Sequence, residues 1–63
     1  MLIPNLRGLI LHGLAQALHH QHEFAQARTV LAEARELFKV SGNIAKAAEA
    51  EELLRTWRTD RRA

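Results

Sequence analysis

The absence of cysteine from a chain of only 63 residues is the feature that most limits how this protein can fold. A domain of this size buries only about 60% of the surface that its unfolded chain exposes, so its own core provides marginal stability. Small domains compensate with disulfide bonds, a metal ion or association. Without cysteine, disulfides and all thiolate metal sites are excluded. Metal bound by histidine, or self-association, therefore remains.

Composition favours helix throughout the chain. Hydrophobic residues make up 48% of the sequence and charged residues 25%, which is too apolar for a disordered segment. Alanine and leucine are abundant, whereas one proline and three glycines are present. We therefore predict an all-α protein, with residues 1–63 forming either a single domain or a fragment of a longer repeat array.

The first predicted helix, residues 4–21, has an unusually broad apolar surface. Pro4 suits its first turn, because the fixed φ of proline matches a helix and its missing N–H is not needed there. Two neighbouring rows of apolar residues follow at helical spacing: Leu11, Leu14 and Leu18 in one, and Leu6, Ile10 and Ala17 in the other. A helix that is apolar on more than one side needs cover from more than one neighbour, and a single short hairpin cannot provide it.

Two further helices are predicted after polar breaks. The polar stretch 19–23 indicates a turn, and the helix at 24–41 that follows has the clearest amphipathic pattern in the chain. Gly42 is suited to a left-handed helix stop and Asn43 to capping the next helix. The third helix, residues 44–59, carries an apolar row of five residues: Ile44, Ala47, Ala50, Leu54 and Trp57. The expected fold is an antiparallel helical hairpin plus a third helix.

Large and small apolar residues alternate along the first two helices in a pattern that resembles the tetratricopeptide repeat. The residues that carry the resemblance are Leu14, Ala15, Leu18, Phe24, Ala27, Leu31 and Ala34. It covers residues 8–41, about one repeat, and implies close packing of paired helices in a protein-interaction scaffold. Leu11 and Leu18 stand where the family often has aromatic residues. Three or more repeats are usually needed for a stable stack, so the resemblance implies neighbouring repeats or further copies of the chain.

We expect protein–protein interaction, most simply self-association as a dimer or higher oligomer, through exposed apolar faces of the first and third helices. The residues predicted to form this interface are Leu2, Leu6, Leu9, Ile10, Leu53, Leu54 and Trp57. Tetratricopeptide proteins that grip acidic peptide ends use clustered basic and asparagine side chains. The first helix here has only Arg7 and several histidines, so that mode is not expected.

Two alternative functions rest on polar clusters. Histidines at positions 12, 19, 20 and 22 could bind a metal ion, and His19 and His22 are the best-spaced pair. The simpler interpretation is that these residues form a polar turn and surface. The chain end concentrates arginine around Trp57, at positions 55, 58, 61 and 62, which could bind nucleic acid or an acidic surface. Arginine at a helix C-terminus is also favoured by the helix dipole alone, and we prefer that explanation.

Catalysis, cofactors and membrane insertion are not expected. The chain has no cysteine or tyrosine and no glycine-rich phosphate loop, and Glu51 and Glu52 are adjacent on a helix and therefore point in different directions. Arg7 and His12 interrupt the N-terminal apolar stretch well short of a membrane span. That segment completes the hairpin, so we expect it to be retained as a helix rather than cleaved as a signal peptide, in a cytoplasmic protein.

Overall fold

A computed structural model describes residues 3–60, with side chains described through residue 58. Within that range the chain forms three α-helices joined by two short corners: α1 (Ile3–His20), α2 (Phe24–Val40) and α3 (Ile44–Asp60). The predicted all-α fold, a helical hairpin plus a third helix, is therefore confirmed. Each predicted boundary agrees with the observed one to within a single residue.

The central helix α2 packs against both α1 and α3 and supplies half of the buried hydrophobic side chains of the described residues. Its buried residues lie three or four positions apart, which brings them to one side of the helix and forms its inward stripe. They are Ala27, Leu31, Ala34 and Phe38. Around this stripe the core divides into two clusters. One is centred on Leu31 and Trp57, and the other on Phe38 with Ala47.

Both corners use the same hydrogen-bond pattern, in which a left-handed residue ends one helix and the chain turns into the next. At the first corner Glu23 N–H donates to the Leu18 carbonyl at 2.9 Å, and His22 has φ 66°. At the second, Asn43 N–H donates to the Phe38 carbonyl at 2.8 Å, and Gly42 has φ 81°. These are Schellman motifs. The helix stop predicted at Gly42 is confirmed.

A hydrogen bond between two asparagine side chains connects α1 to α3 at the second corner. Asn43 caps α3 as predicted, since its Oδ1 accepts a hydrogen bond from the Lys46 backbone N–H at 3.2 Å. Its Nδ2 donates to Asn5 Oδ1 at 2.9 Å, which ties the first turn of α1 to the start of α3. One asparagine therefore both begins α3 and fixes its position relative to α1.

Gly8 sets the distance between α1 and α2. A Cβ atom added at Gly8 would lie 2.8 Å from Cε1 and 3.0 Å from Cδ1 of Phe38, closer than carbon atoms can approach without displacement. The Phe38 ring is fully buried against this position. Gly13, one and a half turns later on α1, has nothing within 4 Å of the same hypothetical atom. The first glycine therefore serves packing, and the second lies on the open side of the helix.

Candidate interaction surfaces

The side of α1 that faces away from α2 is apolar and exposed. Its large side chains are Ile3, Leu6, Leu9, Ile10 and Leu14, and Gly13 and Ala17 lie among them. Leu6 is 57% exposed and Ile10 62% exposed, although helix-interior leucine and isoleucine are commonly covered. The structure thus places Leu6, Leu9 and Ile10 on one surface, which we call the outer α1 face. Leu2, also predicted here, lies outside the described residues.

The α3 residues predicted to join this interface lie elsewhere. Trp57 is only 7% exposed and belongs to the core cluster with Leu31, against which Leu53 and Leu54 are half-buried. Their apolar surface is therefore largely used within the chain itself. The expectation of an exposed apolar α3 face built from these three residues is corrected on this point, because α3 turns that row toward α2.

The residues that resemble tetratricopeptide packing divide into two groups. Ala15, Ala27, Leu31 and Ala34 are fully buried at the α1–α2 contact, and Leu18 is half-buried beside them, as close helix packing requires. Leu14 and Phe24 are instead classed among the exposed large hydrophobic residues. Leu14 lies at the edge of the outer α1 face, and Phe24 begins α2 at the corner.

Four rings beside the first corner form a cluster of ring contacts that the sequence pattern did not predict. His19 stacks on Trp57 with ring centroids 4.2 Å apart and planes 12° apart. The edges of His19 and His22 meet Phe24 at 5.1 and 5.4 Å. His19 therefore covers the indole of Trp57 and also contacts α2. Its spacing to Trp57 along the chain gives no hint of this contact, which depends on how α1 and α3 are placed.

The described part of the chain does not assemble a metal site of three or more ligands around His19 and His22. Among residues 3–60 no group of three or more histidine, aspartate or glutamate side chains is arranged to hold an ion. Both imidazoles have aromatic neighbours in the ring cluster.

His12 is a partly buried histidine on the side of α1 that faces Phe38. Its ring meets the Phe38 ring edge-on at 6.2 Å, and its Nε2 is buried without a hydrogen-bond partner in the described part of the chain. Burial lowers the pKa of His12, the positive charge of Lys46 lowers it further, and Glu49 opposes the change. The neutral imidazole is therefore the form that the folded chain prefers. Its position four residues after the packed Gly8 is the sequence signal that places it on the inner side of α1.

The arginine-rich end is placed in part. Arg55 and Arg58 are exposed on α3, where Arg55 pairs with Glu52. Arg61 and Arg62 are outside the described residues. Trp57, the aromatic residue that could stack on a base, is buried under His19. The predicted combination of arginines with an accessible tryptophan is therefore not assembled at this surface.

These observations define an all-helical three-helix protein whose hairpin is compatible with a helical-repeat fold. Comparison with known protein families, with curated proteins and with solved structures gives no match. None of the three helices within residues 3–60 combines the length and hydrophobicity needed to cross a lipid bilayer.

Proposed function

We propose that this chain is a protein-interaction module of the tetratricopeptide type that associates with a second copy of itself through the outer α1 face. The observation that carries the proposal is the exposure of five large apolar side chains along one side of a single helix. An apolar patch of this extent on a small protein commonly marks an interaction site. Binding rather than catalysis is the proposed role, and a cytoplasmic location is proposed with it.

Support for the repeat-type assignment comes from the packing at the α1–α2 contact. Small residues, Gly8, Ala15 and Ala27, are buried where the two helices approach each other, and the second corner places Gly42 and Asn43 between a complete hairpin and a third helix. In helical repeats each hairpin covers its apolar sides with the neighbouring repeat. The outer α1 face is the side on which such a neighbour would pack.

A second copy is the occupant that the chemistry of this face favours. Helix α1 contains no acidic residue, and its charged side chain is Arg7. Two such faces can therefore meet with few charges to desolvate. Gly13 and Ala17 lie among the larger side chains and allow two helix axes to approach closely. Self-association is thus driven by burial of apolar surface.

The expected affinity is modest. Complete burial of a leucine or isoleucine is worth about 1.5–3 kcal/mol, so a side chain that is already half-covered adds about 1 kcal/mol. Five such residues on each of two protomers give roughly 10 kcal/mol, which is comparable to the association cost of about 4–15 kcal/mol. At most about 6 kcal/mol then remains, so we expect a dissociation constant of about 40 μM or weaker.

Light scattering or sedimentation equilibrium from about 1 μM to 1 mM tests this proposal, since this range spans the expected dissociation constants. The wild-type chain is expected to pass from monomer to dimer over this interval. Ile10→Glu should remain monomeric, because a carboxylate buried in an apolar contact costs more free energy than the contact supplies. Circular dichroism then shows whether that variant keeps its helices, as expected for a residue that is 62% exposed.

Val40→Glu is the matched control. Val40 is 75% exposed at the end of α2, away from the outer α1 face, so the same change in charge should leave association unaltered. A wild-type chain that stays monomeric throughout the concentration range contradicts the proposal. Equal association of Ile10→Glu and wild type would show that the chain associates through a different surface.

A further inference from the structure

A second surface, independent of the outer α1 face, is an open groove between α2 and α3. Four of its lining residues are arginines, Arg28 and Arg35 on α2 and Arg55 and Arg58 on α3. Two glutamates on α3, Glu51 and Glu52, also line it, and its apolar floor is formed by Ala32, Ala48 and Leu54. Positive charge therefore exceeds negative charge along a channel that follows two helices.

Ion pairs neutralise the middle of this groove. Arg35 lies 3.4 Å from Glu36 and 3.9 Å from Glu51, so it bridges α2 and α3. Arg55 pairs with Glu52 on its own helix. Arg28 and Arg58 have no ion pair among the side chains of residues 3–58. The unbalanced positive charge is therefore located at the end of the groove where α2 begins and α3 ends.

The stability of the two helices accounts for one of these arginines and not for the other. Arg58 lies in the last turn of α3, where the helix dipole favours a cation. Arg28 lies near the start of α2, whose first turn contains no acidic side chain, and a cation gains nothing from the dipole there. The charge of Arg28 is therefore available to a ligand that carries negative charge.

The shape of the groove favours a helix over a nucleic acid strand. Its alanine floor leaves room for a third helix axis to approach α2 and α3. Ile44 is 69% exposed and continues the row of Ala48 by one helical turn, so α3 adds one exposed apolar residue beyond the far end of the groove. Because Glu51 and Glu52 pair with arginines in the middle of the groove, it offers no continuous row of unpaired positive charge for the evenly spaced phosphates of a nucleic acid, whereas a helix can place its acidic residues at one end.

We propose that this groove binds an acidic amphipathic helix of a partner protein. The partner's acidic residues pair with Arg28 and Arg58 at one end, its apolar stripe lies on the alanine floor, and its opposite end contacts Ile44. Helix α1 of a second copy does not meet this description, because α1 has no acidic residue. The groove and the outer α1 face can therefore be occupied at the same time.

Selection from a display library of 17-residue helical peptides, matched to the length of α2, tests this inference on the complete chain. Enriched peptides are expected to carry aspartate or glutamate clustered toward one end and an apolar stripe. Their affinity, measured by fluorescence anisotropy, should fall by more than about tenfold in the Arg28→Glu/Arg58→Glu variant, because like charges then oppose each other. It should also weaken as salt is raised.

Arg7→Glu provides the control, since it makes the same Arg→Glu reversal at a single exposed site on α1 and should alter binding by less than about twofold. Arg28→Gln/Arg58→Gln provides a milder pair of substitutions if the charge reversal disturbs folding. The inference is overturned if no peptide is enriched, if the enriched peptides lack acidic residues, or if groove variants bind them as wild type does. Tighter binding of single-stranded or duplex nucleic acid than of any selected peptide would also overturn it.

Discussion

Gly8→Ala and Gly13→Ala are expected to differ in their effect on stability: Gly13→Ala should stabilise the protein, whereas Gly8→Ala should not. Both replace a glycine within α1 by the residue with the highest helix propensity, which by itself stabilises a helix by about 1 kcal/mol. Only the Cβ at position 8 would lie 2.8 Å from the Phe38 ring. Inserting a methyl group into a packed core costs about 1–3 kcal/mol, so Gly8→Ala should lower or barely change the free energy of unfolding.

The difference between the two variants isolates the packing contribution. Because the helix propensity terms cancel, Gly8→Ala should be about 1–3 kcal/mol less stable than Gly13→Ala. For a domain of this size that corresponds to a melting temperature about 5–20 °C lower. Circular dichroism at 222 nm during urea and thermal unfolding measures both quantities. The measurements should be made at two protein concentrations, because association adds to apparent stability.

A double-mutant cycle with Phe38→Leu identifies the contact responsible. The atoms nearest to the hypothetical Cβ belong to the aromatic ring of Phe38, and leucine lacks the ring atoms Cε1 and Cζ. Gly8→Ala should therefore cost less in the Phe38→Leu background, with a coupling energy of about 0.5–3 kcal/mol. If both glycine substitutions stabilise the chain equally, the proposed role of Gly8 in setting the helix distance is wrong.

Three further outcomes follow from the corners and from His12. His22→Gly should raise the free energy of unfolding by up to about 1 kcal/mol, because glycine tolerates the left-handed conformation. Gly42→Ala should lower it by about 1–2 kcal/mol for the same reason. Urea unfolding compares the two variants, and a change of stability in the same direction in both would contradict the account of the corners. Asn43→Ala should lower the free energy of unfolding by about 1–2 kcal/mol, since it removes both the helix cap and the hydrogen bond to Asn5. Asn5→Ala should lower it less, because the cap survives. Thermal unfolding measures both variants, and a larger loss of stability in Asn5→Ala would refute this order. Stability should fall as pH decreases below 6.5, because His12 binds a proton more readily in the unfolded chain than in the folded chain, where its pKa is lowered. At higher pH the His12 imidazole is neutral in both states, and this effect vanishes. The slope of stability between pH 5 and 7 should be shallower in His12→Gln, and an unchanged slope would assign the pH dependence to other groups.

The helices and the second corner were predictable because their signals are local. Apolar periodicity fixes which residues of α2 face inward, and Gly42 followed by Asn43 indicates a left-handed stop and a cap. The first corner has the same geometry but uses His22 at its left-handed position. A residue with a Cβ in that conformation is uncommon, so sequence indicates a turn there without indicating its form.

The surfaces were less predictable, because they depend on which side of each helix meets its neighbour. Trp57 belongs to an apolar row that could equally face a partner or the core, and its burial follows from the rotation of α3 and from the covering ring of His19. The importance of Gly8 could not be inferred either, since the clash at that position involves a residue thirty positions later. The exposed row through Leu6 and Ile10 was predicted correctly as apolar, because α1 has more apolar sides than one neighbour covers.

The order of helix contacts also bears on how the protein folds. Backbone packing within residues 3–60 joins α1 to α2 and α2 to α3, which are neighbours along the chain. Structures with such local contacts fold rapidly, typically within microseconds to milliseconds. Because α2 takes part in both contacts, substitutions on its inward stripe should slow folding, while α1 and α3 can detach separately. Amide hydrogen exchange is therefore expected to be slowest in α2 and faster in the two outer helices.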